Sequence, residues 1–119
     1  MTPQVSEKRT QAFAVRVLRF AQTLPFRRSM QVLEMQLVRA ATSIGANYRE
    51  ANRAESRKDF LHKVAVVEKE ASETLYWLEL IEALQIGDPE ERTALLQECR
   101  ERLAIFTRIG KTVRSRLSK

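Results

Sequence analysis

Cations are the residues of this chain with the most chemistry to offer, and phosphate is the group they suit. Arg27 and Arg28 fall in one candidate loop, and Arg49, Arg53, Arg57 and Lys58 surround another. Arg102, Arg108, Lys111, Arg114, Arg116 and Lys119 crowd the end of the sequence. A guanidinium grips two phosphate oxygens at once, and a lysine adds a compact point charge. The net charge of +6 is unevenly spread: residues 1–66 hold twelve basic and five acidic side chains, 67–101 hold three and ten, and 102–119 hold six and none. That distribution fits a surface for polyanions, contacts between oppositely charged regions of neighbouring subunits, or a solvated basic exterior. Cations in the tail also offset the dipole at a helix C-terminus.

A second set of polar residues is periodic. Gln36, Arg39, Ser43, Asn47 and Glu50 advance by three and four, which places them on one stripe of a helix, expected opposite its apolar side. They are either the ordinary solvated side of an amphipathic helix or a hydrogen-bonded network holding an adjoining subunit. Catalytic groupings are missing. His62 is the only histidine and has no cysteine or second histidine near it in sequence, so a zinc site lacks its usual ligands. Glu68, Glu70, Glu73, Glu79 and Glu82 enrich one segment in carboxylates, without the Glu-x-x-His pairs of di-iron bundles. No glycine-rich phosphate loop and no Gly-x-Ser-x-Gly occurs. Cys99 sits in an apolar stripe and reads as a buried small hydrophobe, not a nucleophile. No catalytic residue, cofactor or metal ligand is assigned, and a non-enzymatic protein is expected.

The elements that must position these groups are helices. Three glycines and three prolines against 44% apolar and 30% charged residues leave little turn chemistry for a sheet. The first helix starts at Thr2-Pro3, carries Phe13, Val17, Phe20 and Leu24 on one side, and is expected to end at Pro25. Ser29 is the expected cap of the second, whose buried side is Met30, Leu33, Leu37, Ala40, Ala41, Ile44, Tyr48 and Ala51. Ser56-x-x-Asp59 opens the third, with the stripe Phe60, Val64, Val67, Ala71, Leu75 and Leu78. Gly87 suits a left-handed helix stop, and Asp88-Pro89-Glu90-Glu91 supplies cap, first-turn proline and first-turn acids for the fourth. Leu95, Leu96, Cys99, Leu103, Phe106, Val113 and Leu117 then keep close to a heptad rhythm. Three long helices of roughly 35–45 Å with short connections predict an all-α, antiparallel up-down-up-down four-helix bundle, one domain over residues 1–119.

In such a bundle the second helix ends, and the first and third begin, at the pole to which the C-terminus returns. The cations of the second loop and of the tail then converge: Arg53, Arg57, Lys58, Arg108, Lys111, Arg114 and Arg116 form the candidate nucleic-acid surface. The third helix also carries Val66, Tyr76, Trp77, Leu80 and Leu84 away from its buried stripe. That second apolar side is either a subunit interface or is tucked inside the protomer by the crossing geometry. On the first reading Asp59, Lys63, Glu70 and Glu73 flank it and set register, and the stripe Arg39, Ser43, Asn47 and Glu50 joins it. One cysteine and the absence of a leader-like or membrane-length apolar run suggest a cytoplasmic protein.

The segments Gln36-Leu37-x-Arg39-Ala40-Ala41-x-Ser43-Ile44-x-x-Asn47-Tyr48-x-Glu50-Ala51, Ser56-Arg57-Lys58-Asp59-Phe60 and Lys69-Glu70-Ala71-x-Glu73-x-x-Tyr76-Trp77-Leu78 resemble those of the bacterial intervening-sequence proteins. Those four-helix bundles are encoded in insertions within large-subunit ribosomal RNA genes. Ala51 departs from the glycine many of them carry there. The resemblance implies a homopentameric barrel with a basic surface and a role in binding nucleic acid. The accessory proteins of diversity-generating retroelements are similar, and act as basic pentameric scaffolds for a reverse transcriptase and its RNA. Two functions follow as expectations: an oligomer binding RNA or DNA through backbone charge, or an oligomeric scaffold for a protein partner such as a reverse transcriptase. No membrane association is expected, because the basic last helix needs its apolar stripe for the core.

Overall fold

The structure is a computed structural model that describes residues 2–118. Four helices, α1 (Pro3–Ala21), α2 (Arg28–Ala51), α3 (Arg57–Leu84) and α4 (Pro89–Leu117), make up an all-α fold. Each begins where local chemistry frees it to. The Thr2 hydroxyl accepts from the Val5 N–H, the Ser56 hydroxyl from Asp59 and the Asp88 carboxylate from Glu91, and proline fills the first helical position of α1 and α4. α2 is the exception. Its cap position is Arg27, which makes no side-chain cap bond, and Ser29 lies one residue inside the helix. The expected serine cap is therefore not used.

α1 also stops at Ala21, well before Pro25, through a turn in which Thr23 donates its hydroxyl to the Phe20 carbonyl at 2.6 Å. Closure of α3 is shared. Gln85 takes the left-handed conformation at the helix end and Gly87 takes it two residues on, with φ 77°. Arg92 donates from Nη1 to the carbonyls of Ile86 and Gly87 and from Nε to Glu82 at 2.6 Å, tying the α3–α4 connection to the start of α4. A Cβ at Gly87 would lie 2.6 Å from the Phe20 ring. Gly87→Ala combines that overlap with a left-handed backbone, and is expected to cost about 1–2 kcal/mol. Chemical denaturation measures it, and an unmoved midpoint would show the ring yields freely.

Each helix packs on those adjacent to it in sequence, and α4 closes back on α1, while the backbones of diagonal pairs stay apart among the described residues. Cross-helix partners advance on one helix as they recede on the other. On α3 and α4 these are Glu68 with Thr107, Ala71 with Cys99 and Glu82 with Arg92; on α1 and α4 they are Arg9 with Glu98 and Arg16 with Glu91. The body measures 50 × 22 × 20 Å.

The core follows the apolar stripes closely. Every expected position on α2 is buried except Met30, which is half-buried. Val64, Val67, Ala71 and Leu78 of α3 join Leu95, Leu96, Cys99 and Phe106 of α4 and Phe13, Val17 and Phe20 of α1. Two departures stand out at the end of the α4 stripe: Val113 is half-buried and Leu117 exposed. Arg102, counted above among the phosphate-facing cations, is 1% exposed. It is a core residue and leaves that set.

Candidate nucleic-acid interface

The pole where α2 ends and α3 begins is built by a tight connection. Arg53 and Ala54 donate backbone N–H groups to Glu50 and Ala51, closing α2, and Ser56 then caps α3. The Asp59 carboxylate reaches back to the Glu55 N–H at 3.3 Å, completing the reciprocal arrangement at one residue's offset. The last turns of α4 arrive beside this connection. Asn52, Ser56, Arg57 and Phe60 on one side and Val113 and Arg116 on the other line a shallow pocket of about 330 Å³. Arg57 and Arg116, distant in sequence, are thereby brought to one site.

The cations at this pole fall into two groups. Arg53 is engaged: it donates to the Arg49 carbonyl at 2.8 Å and stands 3.6 Å from Glu7, which is also 3.5 Å from Arg49. A hydrogen bond from Asn52 and these two guanidiniums hold the Glu7 carboxyl below the usual glutamate range. Arg57, Lys58, Arg108, Lys111, Arg114 and Arg116 are exposed and form no ion pair among the described residues. Arg57 and Lys58 open α3, and the others follow along the end of α4. Lys119 lies outside the described residues. Exposed charges without partners keep their full field for a polyanion.

The residues expected at a subunit interface divide differently. Arg39 spans from α2 to α3, 3.3 Å from Glu70 and in contact with Glu73. The Ser43 hydroxyl donates to the Arg39 carbonyl and the Asn47 amide to that of Ser43. Arg39 therefore bridges the α2–α3 seam within one protomer, while Ser43 and Asn47 bond back along α2 itself. Asp59 pairs with Lys63 at 3.7 Å on its own helix, and Glu50 stays exposed. Trp77 and Leu80 are half-buried against the protomer's own core, whereas Leu84 is exposed. Tyr76, exposed, sets its ring edge-on to Trp77 at 5.1 Å. The second apolar side of α3 is thus partly tucked in.

The larger apolar exposures lie elsewhere: Phe26 at 88%, Met35 at 71% and Val32 at 60%. Sequence reasoning passed over them because single apolar residues outside a stripe are common. The signal available was Phe26 itself, placed between Pro25 and two arginines where no helix buries it. Other chemistry is sparse. Burial pushes the Cys99 thiol up to about 12, and its sulfur lies 3.5 Å from the Ala71 carbonyl. No cluster of three metal-ligating side chains occurs among the described residues, and no helix there is long and apolar enough to cross a membrane.

Residues 5–108 match the family described as 23S rRNA-intervening sequence protein. The chain belongs to this family. A crystal structure of a protein of unknown function from the S23 ribosomal protein family, from Bacteroides thetaiotaomicron VPI-5482, superposes on this intervening-sequence protein with a TM-score of 0.83 at 35% sequence identity. The alignment covers 93% of the present chain and 99% of the other. No curated protein matches the sequence. The family match spans the α2–α3 connection and most of α4, so the cationic pole of this intervening-sequence protein, up to Arg108, lies within it.

Proposed function

We propose that this intervening-sequence protein is a non-enzymatic, self-associating, cytoplasmic protein that binds RNA or DNA through backbone charge. Its single domain is an up-down-up-down bundle of antiparallel helices, and that topology is what gathers the second loop and the C-terminal turns at one end. The observation carrying the reading is the set of six cations there, Arg57, Lys58, Arg108, Lys111, Arg114 and Arg116, none held by a carboxylate among the described residues. Self-association draws support from Tyr76, Leu84, Met35 and Val32, large apolar side chains left in water by a lone protomer. The homopentamer implied by the family resemblance would multiply the cationic ends.

The test is a fluorescence anisotropy titration with structured RNA and duplex DNA across salt. Binding is expected at ~50 mM salt, where the phosphate contribution is greatest, with the steepness of the salt dependence falling by about 0.9 for each duplex phosphate contact removed. Reversing Arg114 and Arg116 to glutamate is expected to weaken binding by at least tenfold and to flatten that dependence. Absence of binding at low salt would overturn the reading. Sedimentation of a monomer at micromolar concentration would overturn self-association.

Phe26 favours a second reading, an oligomeric scaffold for a protein partner such as a reverse transcriptase. An aromatic ring 88% exposed beside Arg27 and Arg28 is a suitable anchor for a protein surface. The same charge reversal distinguishes the two, since it leaves a partner contact at Phe26 intact.

A further inference from the structure

The unpaired cations at the pole do not only cover a convex surface; two of them line a pocket. Arg57 from the start of α3 and Arg116 from the end of α4 line the same 330 Å³ recess, together with Phe60 and Val113. The volume sits at the small end of ligand pockets. It has room for one nucleotide, whereas a duplex needs an extended groove. Phe60 is half-buried and lines the recess, which leaves part of its side chain open to a ligand there. Asn52 donates its side-chain amide to Glu7 at 2.9 Å, which leaves its side-chain carbonyl free to accept. The one carboxylate in the lining, Glu55, is exposed, and suits a sugar hydroxyl or a base amine better than a phosphate.

We propose that this recess binds a single unstacked nucleotide, its phosphate between the guanidiniums of Arg57 and Arg116 and its base on the ring of Phe60, so that the pole prefers single-stranded nucleic acid over duplex. The inference rests on the charge-based reading above and gives it a strand preference. A duplex keeps its bases stacked and paired and offers the recess only phosphates. A single strand offers a base face as well, and stacking on aromatic side chains is the sequence-tolerant way such strands are held. Arginines suit the phosphate because their planar fork meets two oxygens at once.

The experiment uses the full chain and three probes at one salt concentration: an oligouridylate of about 12 nucleotides, within the span of known single-strand sites, its duplex with oligoadenylate, and an abasic ribose-phosphate strand of equal charge. The uridylate is expected to bind at least tenfold more tightly than the abasic strand and more tightly than the duplex. Phe60→Leu, which keeps an apolar side chain at this half-buried position, is expected to lower uridylate affinity about tenfold and leave duplex affinity unchanged. Equal affinity for uridylate and abasic strands would overturn the nucleotide pocket while leaving charge-based binding standing, and this comparison needs no variant to fold. Failure of all three probes would instead overturn nucleic-acid binding itself, and the pocket with it.

Discussion

Replacing Glu98 with alanine is expected to destabilise the protein by about 3–5 kcal/mol, the cost of leaving a buried charge without its counterion. The charge is Arg102, whose side chain is almost wholly buried. Its Nε lies 3.2 Å from a Glu98 carboxylate oxygen without the alignment of a hydrogen bond, and Nη1 has no hydrogen-bond partner among the described residues. Burial pushes the guanidinium downward from its ordinary value and Glu98 pulls it back up, so the carboxylate is the main compensation for a desolvated cation. Arg9 of α1 also donates to Glu98 at 2.8 Å, and that contact is lost too. Removing both charges is expected to be far milder. Glu98→Leu with Arg102→Met leaves no charge stranded, and such replacements are often neutral or stabilising. Urea denaturation of the three proteins measures the coupling. A double variant as unstable as Glu98→Ala would show that the network contributes shape, not charge balance.

Phe106→Ala is expected to cost about 3–5 kcal/mol by opening a cavity in the centre of the core. Phe106 has no exposed surface, and its ring meets that of Tyr48 at 5.1 Å with a 52° tilt, so the change removes an aromatic pair along with the volume. Tyr48 is itself 4% exposed, and the ring pair reaches across the interior between α2 and α4. Phe26→Ala provides the control. That ring lies almost entirely in water, and its loss should change stability by less than about 0.5 kcal/mol. Thermal and denaturant midpoints test both, and a Phe106→Ala loss below 1 kcal/mol would mean that the neighbouring helices close the gap.

The fold was legible because apolar residues recur at the helical period and breakers fall between the runs. Ile44 and Tyr48, or Leu95 and Cys99, could be placed in the core by counting alone. Burial of charge was not legible. Arg102 counts with the solvated cations of the tail by sequence, yet its side chain is buried beside Glu98, one turn earlier on the same helix. Glu70, read as flanking an interface, is 8% exposed because Arg39 crosses from α2 onto it. Cap choice failed at α2 for a local reason: a serine two residues after the true cap carries the same propensity signal as one at the cap. At the cationic pole the sequence supplied the residue types, and helix direction supplied the convergence. The pairing of Arg53 with Glu7 depended on α1, which no local pattern of α2 reveals.

The elongated shape has a consequence for how the protein meets a charged ligand. Its long dimension of 50 Å spans several screening lengths at physiological ionic strength, about 8 Å each. The end bearing Arg57 and Arg116 and the end bearing Arg27, Arg28, Asp88 and Glu90 therefore act as separate electrostatic objects. Cations predominate at the first tip, whereas Arg27 and Arg28 mix with acids at the other, and the field of a polyanion turns the more cationic tip forward before any contact is made.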